Sequence, residues 1–433
     1  MQISRTLAAF AQSATGSDSA RAMMRLSIMD WAACAIAGRD EPVARILRDM
    51  VLEEAGAAQA TLVGCKIRVP ARAAALANGT ASHALDYDDT HFAHIGHPSV
   101  GVVPAALALA EKTGAGGAAF LDAALVGVEV VVRVGLWLGR GHYQTGFHQT
   151  GTAGAFGAAL ASARLLGADG EQALGIVSTR ASGLKSQFGT MGKPFNAGLA
   201  AANGVEAALL AARGFVSTRE GLEGSQGFGE THAGSADDSA LDGLGETWMF
   251  ETVSHKFHAC CHGTHAMIEA LTAMGSVDPS EVQSVTVRTH PRWLRVCNQP
   301  APQTGLGAKF SYRLIAAMVL AGRDTAALDT FSDAACTDPA LVSLRDRVTV
   351  IAEDDLPETA SQVRIVTPNA TREASYDLDA TLSLEARAAK LLRKATTLLG
   401  EAQADRLRRV CEAPDGPDPA ALAALLAGEE VAA

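Results

Sequence analysis

The segment 86–99 gathers side chains that could exchange protons with one another or with a ligand. Its sequence, DYDDTHFAHIGHPS, contains three carboxylates and three imidazoles. Alanine-rich stretches flank it at 73–85 and 100–112, and their pattern predicts buried helices. Burying so many ionisable groups is costly unless they contact each other, a ligand or water. The segment therefore predicts an active site, and its residue types suit acid and base catalysis.

Two other interpretations of this segment stay open. One is a metal site, whose ligands would be the three imidazoles and a neighbouring carboxylate, namely His91, His94, His97 and Asp88 or Asp89. Gly96 and Pro98 would interrupt a helix that aligns such ligands, and the chain has no HExxH pattern. The other is a polar loop that caps a helix starting near Ser99, for which Pro98 is well placed. We prefer catalysis without a metal.

A second segment, 141–152, reads GHYQTGFHQTGT and precedes a predicted helix rich in alanine and glycine. Free N–H groups at the start of a helix attract anions, and Tyr143 and His148 could assist there. Capping by Thr150 or Thr152 is the simpler explanation for those two threonines. For His148 we favour a functional role.

A lysine before another predicted helix suits the binding of a carboxylate. Lys193 lies in the turn GTMGKPFN at 189–196 among apolar neighbours, although a lone lysine is usually a solvated surface residue. Tyr312, in AKFSYR at 308–313, is either a substrate contact or part of an ordinary helix start.

The segment 254–265, SHKFHACCHGTH, holds four histidines, two cysteines and a lysine. Adjacent cysteines such as Cys260 and Cys261 seldom bridge each other, and a nearby cation such as Lys256 favours the thiolate. Zinc binding competes with this interpretation, but the usual spacing of two residues between cysteine ligands is absent. The segment adds catalytic and substrate-binding candidates, among them His265.

The composition argues against several classes of function. The chain of 433 residues has a formal net charge of -11 and no basic block, so we expect no nucleic acid partner. Its seven cysteines are scattered without a CxxC pair, which predicts a cytoplasmic protein. The longest apolar stretch, 121–138, contains three charged residues, so no membrane span is expected. Walker, GxSxG and strand-linked GxGxxG motifs are missing, so we expect no nucleotide cofactor.

The hydrophobic pattern divides the chain into two kinds of domain. Helical spacing dominates the first two-thirds, with almost no alternation of period two before residue 280. Alternating β-branched residues then predict strands at 282–290, 347–351 and 362–367, with helices between them. We therefore predict a mainly α fold. Its large all-helical domain comprises 1–274 and 382–433, and a smaller α+β lid domain comprises 275–381.

Five segments in this order resemble the MmgE/PrpD family: ALANGTASHALDYDDTH with HPS, GFHQTGTAGAFGAA, GTMGKPFNAGLAA, LEGSQGF, and KFHACCHGTH followed by AKFS. The family includes 2-methylcitrate dehydratase, cis-aconitate decarboxylase and iminodisuccinate epimerase. The resemblance implies a homodimer with a helical domain and a lid domain, no organic cofactor, and a site between the domains. All three reactions labilise a proton or a carboxylate next to a carboxyl group of a small polycarboxylic acid, which is the expected substrate.

Together with the resemblance, these segments predict the residues that act. The predicted catalytic residues are Asp88, His97, Tyr143, His148, Lys193, Lys256 and Cys261. The predicted substrate-binding residues are Thr90, His91, Lys193, Lys256, His265 and Tyr312. In our hypothesis the two lysines hold carboxylates, His97 and His148 exchange protons, and Asp88 orients an imidazole. Tyr143 is a candidate phenolic proton donor.

One departure from the family pattern bears on the reaction. Some decarboxylases of the family carry a histidine five residues after the lysine that Lys256 matches, and Cys261 stands there in this chain. This disfavours decarboxylation and favours an isomerase of the iminodisuccinate-epimerase type. A lyase that resembles 2-methylcitrate dehydratase is the alternative, and a protein that binds a carboxylate without turnover is another.

Overall fold

The computed structural model describes residues 2–380 and 382–428. The chain is 58% helical and 10% strand, which confirms the predicted mainly α fold with a smaller α+β part. It forms two compact units, the first containing the chain up to His255 and again from Leu399, and the second running from Lys256 to Leu398.

The first unit is built mainly from helices. In chain order these are α1 Ile3–Ser13, α2 Asp18–Gly38, α3 Pro42–Glu54, α4 Ala71–His83, α5 Ser99–Thr113, α6 Gly117–Thr145, α7 Gln149–Leu166, α8 Gly170–Ser178, α9 Gly192–Ala211 and the short α10 Phe228–Thr231. Short 3₁₀ turns are found at Lys185–Gln187, Asp238–Leu241 and Met249–Thr252. Small polar residues cap several of these helices. Ser17 accepts a hydrogen bond from the backbone of Ala20 at the start of α2, for example.

Helices α4, α5, α7 and α9 form the part of the core that carries the candidate site. Helices α5 and α9 each pack against both α4 and α7. Small residues allow this close approach, because a Cβ atom on Gly198 would lie only 2.3 Å from the Leu76 carbonyl oxygen. The crossing of α4 and α9 therefore requires glycine at position 198, and it brings the end of α4 towards the start of α9.

One hairpin that was not predicted interrupts the helices of the first unit. Strands β1 Ala60–Leu62 and β2 Cys65–Val69 pair in antiparallel fashion around Gly64, whose φ of +71° favours glycine. The sequence pattern did not predict β2 because it lacks alternation, its three central residues all being exposed. The side chain of Asn78 hydrogen-bonds the backbone of Thr61 and Val63, which fastens the hairpin to α4.

The second unit combines a four-stranded sheet with helices. The helices are α11 His265–Ala273, α12 Pro291–Leu294, α13 Gly305–Ala308, α14 Tyr312–Leu320, α15 Asp333–Thr337, α16 Pro339–Arg345 and α17 Leu384–Leu399. The strands are β3 Ser284–Thr289, β4 Val348–Ala352, β5 Ala360–Val366 and β6 Thr371–Asp377. Further 3₁₀ turns are found at His262–Thr264, Pro279–Glu281 and Leu328–Thr330.

The sheet has the strand order β4-β3-β5-β6, with β3 and β4 parallel and the other pairs antiparallel. Strands β3, β4 and β5 correspond to the three predicted strands. The polar edge strand β6 was not predicted, since its sequence TREASYD lacks a buried alternating face. Helix α11 packs on β5, β6 and α14, so the compact units divide the chain before this helix, whereas the predicted domain boundary follows it.

The chain returns to the first unit in its last two helices, α18 Glu401–Cys411 and α19 Pro419–Ala427. Helix α18 packs on α2, and α19 packs on β1 and α5. Within the described residues, no helix combines the length and the apolar character that crossing a membrane requires.

Candidate active site

The loop between α4 and α5 turns sharply and presents its carboxylates in different directions. Asp86 has a φ of +52° and Ile95 a φ of +57°, a conformation that non-glycine residues seldom adopt and that often marks functional loops. Asp89 accepts hydrogen bonds from the backbone and hydroxyl of Ser99, at 3.3 and 2.5 Å. Asp89 therefore anchors the start of α5, and the capping interpretation holds for this residue but not for Asp88.

Asp88 lies between two imidazoles. His83 Nδ1 is 2.9 and 3.1 Å from its two carboxylate oxygens, and His97 Nδ1 is 2.6 Å from Oδ2. Burial by itself would raise the pKa of Asp88, but the charge and hydrogen bonds of His83 and His97 hold that pKa well below its usual value. The carboxylate is therefore ionised, and its oxygens lie within hydrogen-bonding distance of the Nδ1 atoms of both rings.

His97 is further positioned by its backbone. Its N–H donates to Thr150 Oγ1 at 3.0 Å, which joins the loop before α5 to the first turn of α7. The predicted cap at Thr150 or Thr152 is not formed, because the start of α7 has no side-chain cap and Thr152 Oγ1 instead lies 2.9 Å from His142 Nε2. The Thr150 hydroxyl helps to place an imidazole.

Asp86 links Lys193 to the group of side chains around Asp88. Lys193 Nζ lies 2.7 Å from Asp86 Oδ2, and His97 Nε2 lies 3.4 Å from Asp86 Oδ1. The Asp86 side chain is 37% exposed, whereas that of Lys193 is 17% exposed and that of His97 is 10% exposed. One partly exposed carboxylate thus contacts both the lysine and the imidazole that were predicted to handle a substrate.

His148 lies on the other side of His83. The two rings are stacked with centroids 6.0 Å apart, and Phe188 packs edge-on against His148 at 4.9 Å. Asn196 Nδ2, near the start of α9, lies 3.1 Å from His148 Nδ1. Burial, His83, Lys193 and His97 together hold the pKa of His148 well below its usual value, against a smaller opposing effect of Asp86. His148 is therefore a neutral imidazole near neutral pH.

Four side chains of this group could also hold a divalent cation. One ligand atom from each of His83, Asp86, Asp88 and His97 can be chosen so that all lie within 4.8 Å of one another. Imidazole nitrogen and carboxylate oxygen are common ligands of zinc and similar metals. The ammonium group of Lys193 at Asp86 would oppose such a cation, because it already neutralises one of the carboxylates.

The metal site considered from the sequence was different, and the structure does not assemble it. His91 Nε2 lies 3.0 Å from the Met249 carbonyl and 2.8 Å from Thr252 Oγ1, and burial lowers the pKa of His91 to about 4. His94 is fully buried, and burial holds its pKa well below the usual value. Neither ring joins the group around Asp88. The predicted contact of His91 with substrate stays a prediction. In the structure the His91 ring contacts Met249 and Thr252 of the protein.

Two further candidates of the first unit have local partners. Thr90 pairs with Ser254 through two backbone hydrogen bonds, at 2.9 and 2.8 Å, and its hydroxyl lies 3.4 Å from the Ser254 carbonyl. Tyr143 is half-buried near the end of α6, with Lys185 Nζ 3.7 Å above the centre of its ring. Their proposed roles in binding and proton donation stay predictions.

The remaining candidates lie in the second unit. Lys256 is buried, and Cys261 is half-buried with its sulfur 2.9 Å from that of Cys297. His265 Nε2 lies 3.3 Å from the Cys260 carbonyl oxygen. The Tyr312 hydroxyl donates to the Gly263 carbonyl at 2.6 Å, and burial raises the pKa of this phenol well above its usual value. Tyr312 therefore braces the loop before α11, and its predicted substrate contact is not tested.

Sequence reasoning missed three members of the group in the first unit. His83, Asp86 and Asn196 all lie inside segments that carry the family resemblance, but none was chosen as a site residue. His83 is the last residue of α4, so its side chain meets the following loop. Asn196 follows Lys193 by three residues on one helix, a spacing that puts both on one face. That spacing was the available signal.

Comparison with known proteins finds one family over most of the chain. Residues 5–240 match the MmgE/PrpD N-terminal domain, and residues 258–413 match the MmgE/PrpD C-terminal domain. The cis-aconitate decarboxylase-like protein oryM of Aspergillus oryzae is 30% identical over 377 residues, or 78% of this chain and 77% of the relative. The cis-aconitate decarboxylase of Aspergillus terreus is 33% identical over 56% of this chain and 54% of its own length. The human cis-aconitate decarboxylase is 29% identical over 67% of this chain and 64% of its own length.

Proposed function

The chain belongs to the MmgE/PrpD family, and we propose that it is a lyase acting on a small di- or tricarboxylic acid without an organic cofactor. The reaction would break a bond next to a carboxylate, through proton transfer at the adjacent carbon. Relatives named as cis-aconitate decarboxylases support a lyase, while they give no specific support to the epimerase that the sequence favoured.

The observation that carries this proposal is the placement of Asp88 between His83 and His97. An ionised carboxylate at Nδ1 of His97 keeps the proton on that nitrogen, so Nε2 carries the lone pair once Asp86 Oδ1, 3.4 Å from it, has moved away. The same carboxylate stabilises the imidazolium that forms when Nε2 takes a proton. His97 is therefore the proposed base that removes a proton from the carbon next to the substrate carboxylate. When a proton is returned to that carbon, the protonated His97 is the proposed acid.

Lys193 is the proposed partner of a substrate carboxylate. Its contact with Asp86 shows that a carboxylate can sit against both Lys193 and His97, at 2.7 and 3.4 Å. A substrate carboxylate that replaces Asp86 would leave its neighbouring carbon beside the His97 ring. The ammonium charge would then stabilise the enediolate-like charge that develops on that carboxylate during proton transfer.

His148 is proposed to donate a hydrogen bond as a neutral ring. Asn196 Nδ2 also lies 3.4 Å from the Leu184 carbonyl, so the amide points its N–H groups at His148 Nδ1 and at this carbonyl. Nδ1 of His148 is then an acceptor, and the proton of the neutral ring is on Nε2. A neutral imidazole can polarise a carbonyl or stabilise an oxyanion in this way.

The steps of the reaction and their order differ between members of the family. A dehydratase removes a proton and expels water, whereas a decarboxylase releases carbon dioxide and then protonates the remaining carbanion. The steps other than proton exchange at His97, such as the loss of water or carbon dioxide, are proposed to use Lys256, Cys261, Tyr143 and the substrate-binding candidates. Cys261 favours epimerisation as a second candidate, because this position is a histidine in some decarboxylases of the family. The homodimer and the absence of a cofactor stay predictions.

Incubation with single acids in deuterated water tests the proposal. The protein would be mixed separately with cis-aconitate, 2-methylcitrate and iminodisuccinate, and followed by NMR together with carbon dioxide release. A lyase converts one acid to a product that has lost carbon dioxide or water, whereas an epimerase incorporates deuterium without either loss. If no acid is converted or labelled faster than with Asp88→Asn protein, the chain only binds carboxylates or acts on another class of molecule.

A further inference from the structure

We propose that Cys261 and Cys297 form a reversible disulfide when the protein is exposed to hydrogen peroxide, which makes this pair a site of redox modification. The thiol of Cys297 points at the sulfur of Cys261, with 2.9 Å between the two sulfur atoms. A disulfide bond is about 2.0 Å long, so the sulfurs need to approach by less than the width of one atom.

The backbone of the second unit keeps the two cysteines side by side. The N–H of Cys261 donates to the Lys309 carbonyl at 3.0 Å, and the Cys297 carbonyl accepts from the N–H of Tyr312 at 3.0 Å. Both cysteines are therefore tied to the same short segment, 309–312, at the start of α14. Because this segment is anchored by Tyr312, the thiols stay in register without a large movement of the chain.

The two thiols differ in their exposure to solvent, as expected of a cysteine that reacts with peroxide and a cysteine that then closes the disulfide. Cys261 is half-buried, so a small oxidant can reach it, whereas Cys297 is completely buried. Burial and the contact with Cys261 raise the pKa of the Cys297 thiol well above its usual value, so this thiol keeps its proton. Cys261 is the sulfur that attacks the peroxide, and Cys297 is the resolving thiol that closes the bond.

The reaction balances in two steps. The Cys261 thiolate attacks one oxygen of hydrogen peroxide, which gives the sulfenic acid and releases hydroxide. The Cys297 sulfur then attacks the Cys261 sulfur, the sulfur–sulfur bond forms, and the hydroxyl group leaves as water with the Cys297 proton. Two thiols are oxidised by two electrons in total, and one peroxide is reduced to two waters.

The neighbouring cysteine does not compete in this geometry. Cys260 is buried, and its sulfur lies 3.1 Å from Thr264 Oγ1. Burial, partly offset by the hydrogen bond to Thr264, raises the pKa of Cys260 to about 12. Adjacent cysteines also seldom bridge each other because the short chain between them is strained. Cys336, buried in the same unit with its thiol directed at the Thr304 carbonyl, provides a matched control.

Mass spectrometry of the full chain tests the pair without any assay of catalysis, so its failure would leave the proposed function unaffected. Reduced protein would be treated with one equivalent of peroxide, denatured, alkylated with iodoacetamide and digested without reductant. We expect a linked pair of peptides containing Cys261 and Cys297, lighter by two hydrogens, and the loss of two alkylated thiols from the seven in the chain. Dithiothreitol should restore both.

Three variants sharpen the result. Cys336→Ala protein should form the same linked pair, whereas neither Cys261→Ser nor Cys297→Ala protein should form it. In Cys297→Ala protein treated with at least two equivalents of peroxide, Cys261 should proceed through the sulfenic acid to the sulfinic acid, which dithiothreitol does not reverse. If Cys297→Ala protein fails to fold, the peptide map of the wild type and that of Cys261→Ser protein still test whether the Cys261–Cys297 disulfide forms. A sulfinic acid at Cys261 of the wild type beside a fully alkylated Cys297, or a bridge between Cys260 and Cys261, would overturn the proposal.

Discussion

Lys193 Nζ lies 2.7 Å from Asp86 Oδ2, so the lysine proposed to bind a substrate carboxylate is paired with a carboxylate of the protein. Asp86 also has a left-handed backbone conformation and is more exposed than its partners. We propose from these features that Asp86 is an internal carboxylate which an incoming acid replaces. In this proposal the pairing holds Lys193 in position and competes with the substrate carboxylate for it.

Replacing Asp86 by asparagine should tighten substrate binding. The variant removes the competing charge at Lys193 but keeps the size of the side chain, so we expect KM to fall by about two- to fivefold, the effect of a partly exposed ion pair. Steady-state kinetics with whichever acid the assay in deuterated water shows to be converted would measure this change. A kcat lowered by about a hundredfold with an unchanged KM would instead assign Asp86 to the chemical step.

Replacing Lys193 by methionine should remove most of the activity. Loss of the cation that faces the developing negative charge is expected to lower kcat/KM by about 10²–10³-fold. Lys66→Met is the control, because Lys66 is exposed on β2, outside the group around Asp88. Both variants should show the same far-ultraviolet circular dichroism. If Lys193→Met protein keeps its kcat/KM, the carboxylate of the substrate is bound elsewhere.

The neighbouring residues Asp88 and Asp89 should respond differently to the same substitution. Asp88→Asn removes the negative charge that orients His97 and stabilises its protonated form, so kcat should fall by about 10²–10⁴-fold. Asp89→Asn should keep kcat, since Asp89 contacts Ser99 at the start of α5. Equal losses in the two variants would indicate a general disturbance of the loop rather than a base oriented by Asp88.

The tautomer of His148 can be reversed with one isosteric change. Asn196→Asp presents an acceptor where the amide now donates, so the proton of His148 should move from Nε2 to Nδ1. We expect kcat to fall by about 10²-fold with little change in KM, because the hydrogen bond serves the transition state. Nitrogen-15 NMR of the histidine rings checks the tautomer directly. An unchanged tautomer with a lowered kcat would contradict this explanation.

Asp89 should make the protein less stable as the pH rises. Burial, with smaller contributions from Asp30 and Asp88, raises the pKa of Asp89 to about 7, although hydrogen bonds from Ser99 and Ser27 oppose the shift. Because the folded-state pKa exceeds the unfolded one, the contribution of Asp89 is fully present below about pH 4 and is lost as the pH rises through about 7.

Urea unfolding of Asp89→Asn and wild-type protein at pH 5, 6.5 and 8 measures that loss. The variant cannot ionise at this position, so its free energy of unfolding should exceed that of the wild type by a growing margin, at most about 4 kcal/mol at the highest pH. Comparing the two proteins at each pH cancels the contribution of other groups, such as His91. A constant difference at all three values would show that Asp89 does not titrate in this range.

Sequence patterns predicted most of the longer helices and three of the six described strands, because the signals of these elements are local. Alanine-rich helical spacing and alternating β-branched residues each report on one element at a time. Strands β2 and β6 were not predicted because neither alternates buried and exposed residues. The sequence singled out the loop 86–99 as a candidate site, but it did not distinguish the roles of the three carboxylates in that loop. Asp88 contacts imidazoles, Asp89 anchors a helix and Asp86 holds a lysine.

The amino-acid sequence by itself determined which chemistry is available to this protein, since side-chain type and family pattern are properties of the chain alone. Only the tertiary structure decided which of these groups meet. Asp86 and Lys193 are far apart in the chain, and they are joined because α4 and α9 cross closely at Gly198. The distances that set pKa values and proton positions depend on such packing, and packing between distant helices leaves no local signal in the sequence.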